Sequence, residues 1–495
     1  MSLYIGIDSG TQSTKAIVLD LASGQIIAEA AQRYELIDGL PAGHLEQNPQ
    51  DWIDAVEGSI SDCMSQIGDR KSEVRGIGVS GQQHGLVVLD ENDEVIRPAK
   101  LWCDTSTTKQ CDQYAAEFGG ASGLISKAGN TMLPGYTIPK LLWLKQNEPD
   151  NFAKVKTVLL PHDYINFRLT GVMRMEFGDA SGMGILNVRT REWETDLVDF
   201  VDPSVREMLP ELRSSNVPHG TVRNDVAEKL GFSGEVIVSA GGGDNMMGAI
   251  GTGNITPGVI TASFGTSGTL YGCAGEPVID PDGEIAAFCD STDRWLPLAC
   301  TMNVTVVTEQ VRSWFGWELD QMGEEISKTA PGAGGISFLP YLNGERTPNL
   351  PNGKGVIHGL DGTNATPGNM ARAAMEGATL GLAYGLRRFS QLGLAPTEIR
   401  LTGGGTKSPV WRQVSADVFG VPVVGLATAE GASLGGAIQA AQAAGEGTYE
   451  ELCGRLVELD ESSRCVPNPE FTGLYQEKLD QQIALTSQLK DGGML

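Results

Sequence analysis

Two segments of this sequence share one pattern, an apolar strand followed by a glycine-threonine turn and a second strand. They are residues 4–20 and 260–271, and their glycine-threonine pairs are Gly10-Thr11 and Gly265-Thr266. A strand, a polar turn and a strand indicate a β-hairpin. A pattern that returns about 255 residues later favours two similarly built domains, although so short a match can arise by chance in a chain with 64 glycines.

The length of the chain agrees with two domains. At 495 residues it exceeds what a single hydrophobic core usually supports. Strands alternate with helices, since Asn48-Pro49 has the residues of a helix start and an apolar strand follows at residues 74–80. We therefore expect an α/β fold with domains at residues 1–248 and 249–445, and a helical tail at residues 446–495 that packs on the body.

The overall charge excludes some classes of partner. The formal net charge is −26 at pH 7, whereas nucleic acids and anionic membrane surfaces require clusters of Lys and Arg. No run approaches the roughly 18 apolar residues of a membrane span, and the amino terminus lacks a basic and apolar leader. The eight cysteines are scattered without zinc-ligand spacing. We expect a cytoplasmic protein that binds neither nucleic acid nor membrane and keeps its thiols reduced.

One glycine run delivers a single carboxylate. A strand pattern at residues 235–239 leads to Gly241-Gly242-Gly243, and Asp244 and Asn245 follow. Glycines allow backbone conformations closed to other residues and let another molecule approach closely, so this run is suited to presenting Asp244 to a ligand. The alternative is a tight turn with Asp244 as a helix cap. The other motifs favour a catalytic Asp244.

The first hairpin offers groups that bind phosphate. Its turn supplies backbone N–H groups, hydroxyls and one ammonium, from Gly10, Thr11, Gln12, Ser13 and Lys15. Asp8 stands beside the turn and could hold Mg²⁺. The alternative is an ordinary hairpin turn with Lys15 in solvent. The G-x-x-x-x-G-K-[ST] loop of P-loop enzymes occurs nowhere in the sequence, which disfavours that class.

Two further segments carry groups suited to sugar hydroxyls. Gln83 and His84 put an amide and an imidazole between two strands, and Trp102 and Asp104 pair an aromatic face with a carboxylate. Taken alone, the first pair is more simply a solvated loop, and the second is a core tryptophan beside a surface aspartate. The sugar interpretation depends on the other motifs.

A third glycine run suits a nucleotide. Gly403-Gly404-Gly405 lies between a predicted strand at residues 398–402 and a predicted helix at residues 411–418. The dinucleotide pattern G-x-G-x-x-G at residues 76–81 instead lies within a strand and opens no helix. It therefore gives little support to a dehydrogenase.

Several segments together resemble the FGGY family of carbohydrate kinases. In chain order the matching segments are residues 5–11, 81–85, 134–143, 241–245, 342–348, 355–360 and 369–376. They cover residues 4 to about 440, and this breadth is more specific than any one motif. Gln83 departs from the family at a position where methionine is common, which leaves the identity of the sugar open.

The resemblance implies a two-domain actin-like ATPase fold of the ribonuclease H type, with the active site in the cleft between the domains. It implies transfer of the γ-phosphoryl group of ATP to a sugar hydroxyl in the presence of Mg²⁺. Asp244 matches the catalytic base of the family, Asp8 its magnesium-associated acid, and Gln83 and His84 its sugar-contacting pair. The other implied site residues are Asn245, Trp102 and Asp104 at the sugar and Gly265, Thr266, Gly404, Gly405 and Lys407 at the nucleotide.

The reaction that the resemblance implies is phosphorylation of D-xylulose at its terminal hydroxyl. Another ketose or a polyol, such as ribulose, is the alternative within this class, and glycerol is disfavoured because the Arg-Glu pair of glycerol kinases is absent at Gln83 and His84. A non-catalytic actin-like sensor of sugar or nucleotide is the alternative from another class. It could lose the base, whereas Asp244 is present. A homodimer is expected only because such assemblies are common.

Overall fold

The computed structural model describes residues 2–495. Its two largest sheets have seven strands each, and each sheet is built from one half of the chain. Helices cover the sheets, so the expected α/β class is confirmed. Among residues 2–495, no helix combines the length and the apolar composition that a membrane span requires.

Residues 2–251 contain fifteen strands and eleven α-helices. The strands are β1 (Leu3–Ser9), β2 (Ser13–Asp20), β3 (Gln25–Arg33), β4 (Glu46–Gln47), β5 (Val74–Gly81), β6 (Val87–Leu89), β7 (Ala99–Lys100), β8 (Thr157–Leu159), β9 (Arg174–Glu176), β10 (Leu186–Asn187), β11 (Glu192–Trp193), β12 (Glu211–Arg213), β13 (Gly220–Thr221), β14 (Ile237–Val238) and β15 (Gly242–Gly243). The helices are α1 (Pro49–Ile67), α2 (Thr108–Glu117), α3 (Gly120–Ala128), α4 (Thr137–Asn147), α5 (Pro149–Phe152), α6 (Pro161–Thr170), α7 (Phe177–Ala180), α8 (Thr195–Asp199), α9 (Val205–Met208), α10 (Asn224–Leu230) and α11 (Asp244–Gly251).

The second half has fewer and longer elements. The strands are β16 (Val259–Phe264), β17 (Gly268–Gly272), β18 (Ala286–Cys289), β19 (Trp295–Thr301), β20 (Ser337–Pro340), β21 (Gly355–His358), β22 (Glu398–Thr402), β23 (Val423–Leu426) and β24 (Leu459–Cys465). The helices are α12 (Thr305–Phe315), α13 (Leu319–Ser327), α14 (Pro367–Gln391), α15 (Pro409–Phe419), α16 (Gly431–Ala443), α17 (Tyr449–Leu456) and α18 (Pro469–Asp491).

The two large sheets share one central arrangement. In the first, the order β3-β2-β1-β5-β14 has antiparallel pairs on one side of β1 and parallel pairs on the other. In the second, the order β19-β17-β16-β22-β23 repeats the same directions around β16. The repeat predicted from the hairpins is therefore confirmed. Asp8 pairs with Ser80 and Ser263 pairs with Thr402, so a serine occupies the position of the acid in the second sheet.

Local sequence signals account for several elements. Helix α1 begins as predicted, with the Asn48 side chain accepting a hydrogen bond from the backbone N–H of Gln50 at 3.2 Å. Trp52 and Ile60 on its predicted apolar face are fully buried. The strand predicted at residues 235–239 is shorter than expected and comprises only Ile237–Val238. Gly241, with a φ of 75°, lies between β14 and β15.

The carboxy-terminal tail contains a strand as well as helices. Strand β24 pairs with β23 at the edge of the second sheet, which the prediction of a helical tail missed. In α18, Tyr475 and Leu479 are buried in the core of the second half. The domain boundaries at residues 248 and 445 stay a prediction, and α11 runs across the first of them.

Helix α16 comes from the second half of the chain but packs on the first sheet. It lies against β1 and β5. A Cβ added at Gly6 would overlap the carbonyl oxygen of Ser433, and one added at Gly78 would overlap the carbonyl oxygen of Gly436. The helix therefore rests directly on the backbone of the sheet. Gly78, which belongs to the dinucleotide-like pattern, serves this packing.

We predict that Gly78→Ala destabilises the protein by about 1 to 3 kcal/mol, because the new methyl group meets backbone that cannot move aside. Gly473→Ala is the matched control, since Gly473 is exposed in α18 with open space at its Cβ position. Removing a helical glycine there should stabilise the chain by about 0.5 to 1 kcal/mol. Unfolding midpoints in urea measure both effects, and equal midpoints for the two variants would contradict the packing described here.

Candidate active site

Two carboxylates lie at one edge of the first sheet. Asp8 near the end of β1 pairs with Ser80 of β5, and Gly242 of β15 pairs with the same serine from the other side. Asp244 begins α11 directly after β15. Ligands of open α/β sheets bind beyond the carboxyl ends of the strands. Asp8 and Asp244 therefore flank β5 where a ligand of this fold is expected.

The three glycines before Asp244 make room for the protein's own groups. A Cβ on Gly241 would lie 2.8 Å from the carbonyl oxygen of Val79, and one on Gly243 would lie 2.5 Å from Cγ of Gln83. A Cβ on Gly242 would overlap the hydroxyl of Ser291. The protein's own atoms fill the space beside these glycines, so the expectation that this space is left for another molecule is wrong. The glycines let the loop before Asp244 pack tightly.

The electrostatic surroundings of Asp244 favour its protonated form. Burial, together with repulsion from Asp8 and Asp179, raises the pKa of Asp244 to about 7. Its carboxylate accepts hydrogen bonds from the backbone N–H of Asn245 at 2.7 Å and from the side-chain amide of Asn245 at 2.9 Å. The side chain is partly exposed. Asp244 is thus a carboxylate of raised basicity that a ligand can reach.

Asp8 has a similar environment. Burial raises the pKa of Asp8 to about 6, against the effect of the hydrogen bond that the Ser80 hydroxyl donates at 3.2 Å. The adjoining turn is closed by the bond from the N–H of Gly10 to the carbonyl of Ser13 at 3.0 Å. The backbone carbonyls of Thr11 and Gln12 accept hydrogen bonds from neighbouring segments, which fixes the turn.

The ammonium of Lys15 is engaged away from the turn. It forms an ion pair with Glu430, at 2.6 Å, and lies 3.5 Å from Glu29. The phosphate role predicted for Lys15 would require it to leave Glu430. In this structure Lys15 connects the first hairpin with the segment that precedes α16.

Gln83 and Asn245 form a hydrogen-bonded pair beside Asp244. The amide of Asn245 donates to Oε1 of Gln83 at 2.6 Å, and the hydroxyl of Thr269 donates to Oδ1 of Asn245 at 3.3 Å. Thr269 lies in β17 of the second sheet. Asn245 therefore connects the predicted sugar residue Gln83 with the second half of the chain.

His84 is held by both its backbone and its ring. Its φ is 60°, and its carbonyl accepts hydrogen bonds from Lys140 at 2.7 Å and Thr137 at 3.0 Å. Nδ1 of the ring lies 3.0 Å from the buried carboxylate of Asp179. Burial lowers the pKa of Lys140 to about 7.

Trp102 and Asp104 have different surroundings. The indole N–H of Trp102 donates to the hydroxyl of Thr11 at 3.0 Å, which joins it to the first hairpin. Asp104 is fully buried, accepts hydrogen bonds from Leu45 and Ser106, and pairs with Lys100 at 3.1 Å. These contacts favour a structural role for Asp104, so its predicted contact with a sugar stays a prediction.

His44, Glu46 and Asp104 lie close enough to one another to be considered as a metal site. The ammonium of Lys100 occupies that position, at 3.1 Å from Glu46, from Asp104 and from Nδ1 of His44. It also lies 4.0 Å from the centre of the Trp143 ring. The cluster therefore neutralises a buried lysine and does not fit a divalent cation.

The predicted nucleotide residues lie at the matching edge of the second sheet. Gly265 and Thr266 follow β16, and the run that starts at Gly403 follows the parallel neighbour β22. Gly403 has a φ of 89°, and a Cβ there would lie 2.7 Å from the carbonyl oxygen of Phe264. Gly404 and its neighbours Gly405 and Lys407 form a short 3₁₀ turn beside Gly265 and Thr266, and the side chain of Lys407 is exposed.

Three residues of this region had no signal in the sequence. Gln439 of α16 accepts a hydrogen bond from the N–H of Gly241 at 2.8 Å and donates to its carbonyl at 3.1 Å. The carboxylate of Asp179 lies beside the ring of His84, and the ammonium of Lys140 donates to the backbone carbonyl of His84. Lys140 lies in a segment that resembles the family, but its spacing gives no reason to expect a buried lysine there.

Comparison with known proteins identifies the class. The model for the amino-terminal domain of the FGGY family of carbohydrate kinases matches residues 3–251, and the model for its carboxy-terminal domain matches residues 260–444. The chain belongs to the FGGY family of carbohydrate kinases. It therefore has the expected actin-like ATPase fold and is an ATP-dependent sugar kinase.

Individual relatives are similar over nearly their whole length. A xylulose kinase of Haemophilus influenzae is 45% identical over 493 residues, which cover 98% of this chain and 100% of the relative. The crystal structure of a ligand-bound xylulose kinase from Lactobacillus acidophilus has a TM-score of 0.92 with 28% identity and covers 99% of both chains. A gluconate kinase structure from the same species has a TM-score of 0.91 with 28% identity, covering 99% of this chain and 98% of the other.

Proposed function

We propose that this chain transfers the γ-phosphoryl group of ATP to the terminal hydroxyl of D-xylulose, giving D-xylulose 5-phosphate, with Asp244 as the general base. The position of Asp244 carries the proposal. It lies at the carboxyl edge of the first sheet, is partly exposed, and has a pKa raised to about 7 by burial and by repulsion from Asp8 and Asp179. The xylulose kinases among the similar proteins support D-xylulose as the acceptor.

A base of this kind suits the weak acidity of a sugar hydroxyl. Asp244 accepts the hydroxyl proton as the oxygen attacks phosphorus, a contribution of typically ~10²- to 10⁴-fold in rate. Asn245 donates two hydrogen bonds to the carboxylate and so fixes its orientation. The same carboxylate is a stronger base than an ordinary aspartate because its protonated form is favoured by its surroundings.

The sugar site in this proposal consists of Gln83, His84, Asn245 and Trp102. The amides of Gln83 and Asn245 are hydrogen-bonded to each other, so each presents its remaining groups in a fixed direction. Trp102 adds an aromatic face whose N–H is already satisfied by Thr11. Asp104 is left out because its oxygens have partners inside the protein.

The phosphate site consists of the turns of the two hairpins. Gly10, Thr11, Gln12 and Ser13 supply N–H and hydroxyl groups beside Asp8, as Gly265 and Thr266 do from the second sheet. The turn with Gly404, Gly405 and the exposed Lys407 stands next to them and takes the nucleotide. Backbone N–H groups bind phosphate oxygens without a large positive field, which agrees with the net charge of −26.

The residues around Asp8 fit Mg²⁺. Asp8 and Asp244 repel each other, as the raised pKa of Asp244 reflects, and a divalent cation would relieve that repulsion. Carboxylate oxygens with nearby phosphate groups are the usual protein ligands of this ion. When bound, Mg²⁺ supplies charge neutralisation for the transferring phosphoryl group. Mg²⁺, a homodimer and a cytoplasmic location stay predictions.

A panel of acceptors tests the substrate. ADP release is measured with D-xylulose, D-ribulose, gluconate and glycerol at saturating MgATP. We expect kcat/KM for D-xylulose to exceed the others by at least about 10-fold, the discrimination that one or two well-placed polar contacts provide. The similarity to a gluconate kinase makes gluconate the sharpest competitor. A higher kcat/KM for gluconate or D-ribulose would overturn D-xylulose as the substrate.

Replacement of Asp244 tests the base. Asp244→Asn should lower kcat by ~10²- to 10⁴-fold while D-xylulose still binds, as measured by calorimetry, because the amide keeps the shape but accepts no proton. Asp90→Asn is the matched control, since Asp90 caps a turn through the N–H groups of Asn92 and Glu94. A kcat of Asp244→Asn within tenfold of the parent would remove Asp244 from the reaction.

The pH dependence tests the same group independently. Only the ionised form of Asp244 accepts a proton, so kcat/KM for D-xylulose should fall about tenfold per pH unit below about pH 7, the raised pKa of Asp244. Above that pH the profile should be flat until another group titrates. The residual activity of Asp244→Asn should lack this limb, and an unshifted limb in the variant would assign it to another group.

A further inference from the structure

We infer that Asp179 is a positioning residue that keeps the proton of His84 on Nδ1, so that Nε2 offers a lone pair to a donating sugar hydroxyl. Nδ1 of His84 lies 3.0 Å from Oδ1 of Asp179, and the backbone N–H of His84 donates to the same oxygen at 3.4 Å. The inference rests on the proposed function in taking D-xylulose as the sugar and His84 as one of its contacts.

Asp179 remains a carboxylate although it is fully buried. Burial alone would raise its pKa, but the imidazoles of His162 and His84 beside the carboxylate outweigh burial and lower the pKa of Asp179 below its usual range. Nδ1 of His162 lies 3.4 Å from Oδ2 of Asp179. An ionised carboxylate only accepts hydrogen bonds, so the proton between it and His84 belongs to the ring.

His162 supplies the positive charge behind Asp179. Burial alone would lower the pKa of His162, but Asp163 and Asp179 on the two sides of the ring raise it well above the usual value. Nε2 of His162 lies 3.0 Å from Asp163. The buried cation is therefore shared by two carboxylates, and Asp179 is stabilised in its charged form from the side opposite His84.

The ring of His84 has little freedom to turn. A Cβ on Gly182 would overlap the imidazole, so the ring packs directly against the backbone of this glycine. Tyr136 and Phe288 lie with their ring centres 5.4 Å from that of His84. Nδ1 is buried and has only the carboxylate of Asp179 beside it, at 3.0 Å. Nε2 has no hydrogen-bond partner among residues 2–495 and, unlike Nδ1, is not among the buried atoms, so it is the nitrogen that a ligand can reach.

A fixed Nδ1–H tautomer selects the chemistry of the ligand. A lone pair on Nε2 accepts a hydrogen bond from a hydroxyl, whereas a carboxylate has no proton to donate to it. A carboxylate directed at this position would be rejected. The pair of Asp179 and His84 thus favours a neutral sugar over an aldonate among the acceptors of this family.

Histidine NMR tests the tautomer without any substrate. The chain has five histidines, so ¹⁵N-labelled histidine gives a small set of signals that His84→Gln assigns. We expect the proton of His84 on Nδ1 at pH 8, and a loss of this preference in Asp179→Asn, whose amide can donate to Nδ1. A parent protein with the proton of His84 on Nε2 would overturn the inference, and this result does not depend on how any variant folds.

Kinetics test whether Asp179 acts through His84. Asp179→Asn should raise KM for D-xylulose about 10- to 100-fold and change KM for ATP by less than about twofold, because one sugar contact is lost. Glu176→Gln is the matched control. Glu176 is a buried carboxylate that caps α7, the short helix that contains Asp179, and it accepts hydrogen bonds from the backbone N–H groups of Gly178 and Asp179. It also accepts one from the hydroxyl of Ser215, and glutamine keeps an acceptor oxygen for these donors. Its KM for D-xylulose should stay within about twofold of the parent.

The double variant separates positioning from structural damage. In a His84→Ala background, Asp179→Asn should change KM for D-xylulose by less than about twofold, since its effect requires the imidazole. A further tenfold rise would mean that Asp179 acts through the fold, and the inference would fail. If D-xylulose proves not to be the acceptor, the proposed function fails, while the NMR result stands and the KM comparisons are made with the best acceptor.

Discussion

The contact between α11 and α16 determines how the two halves of the chain meet. A Cβ on Gly251 would overlap the carbonyl oxygen of Gly431, and one on Gly435 would overlap that of Met247, so the helices touch backbone to backbone. Protein interiors are packed closely enough that even one added methyl group is felt. Because α11 follows the first sheet and α16 follows most of the second, this contact fixes the edge of one sheet relative to the other.

The same contact shapes the loop that carries Asp244. Gln439 of α16 binds both the N–H and the carbonyl of Gly241, and its Oε1 also accepts a hydrogen bond from the hydroxyl of Ser239. A residue from the carboxy-terminal half thereby sets the conformation of a loop in the amino-terminal half. Asn245, through Thr269, makes a second connection between the halves. The candidate site is therefore formed by residues from both halves of the chain.

The elements that depend on neighbouring residues could be predicted from the sequence, whereas contacts between residues distant along the chain could not. The hairpins, the start of α1, and the placement of Asp8 near the end of one strand and of Asp244 after another follow from neighbouring residues. Gln439 lies 198 residues from Gly241, and no local sequence pattern predicts a hydrogen bond between residues so far apart. The sequence suggests that Lys15 is available to bind phosphate, because its ion-pair partner Glu430 is distant along the chain and comes close only when the protein folds.

The packing of the helices also reaches the chemistry. Burial is the larger cause of the raised pKa of Asp244, ahead of repulsion from Asp8. A loop that opened to water would let the pKa of Asp244 return toward the value of an ordinary aspartate, and Asp244 would become a weaker base in the proposed reaction. The loop stays closed because Gln439 is hydrogen-bonded to Gly241. Gln439 is in position because α16 packs directly on the glycine backbone of the first sheet. The glycines that let α16 pack on the sheet thus contribute to the basicity of one carboxylate.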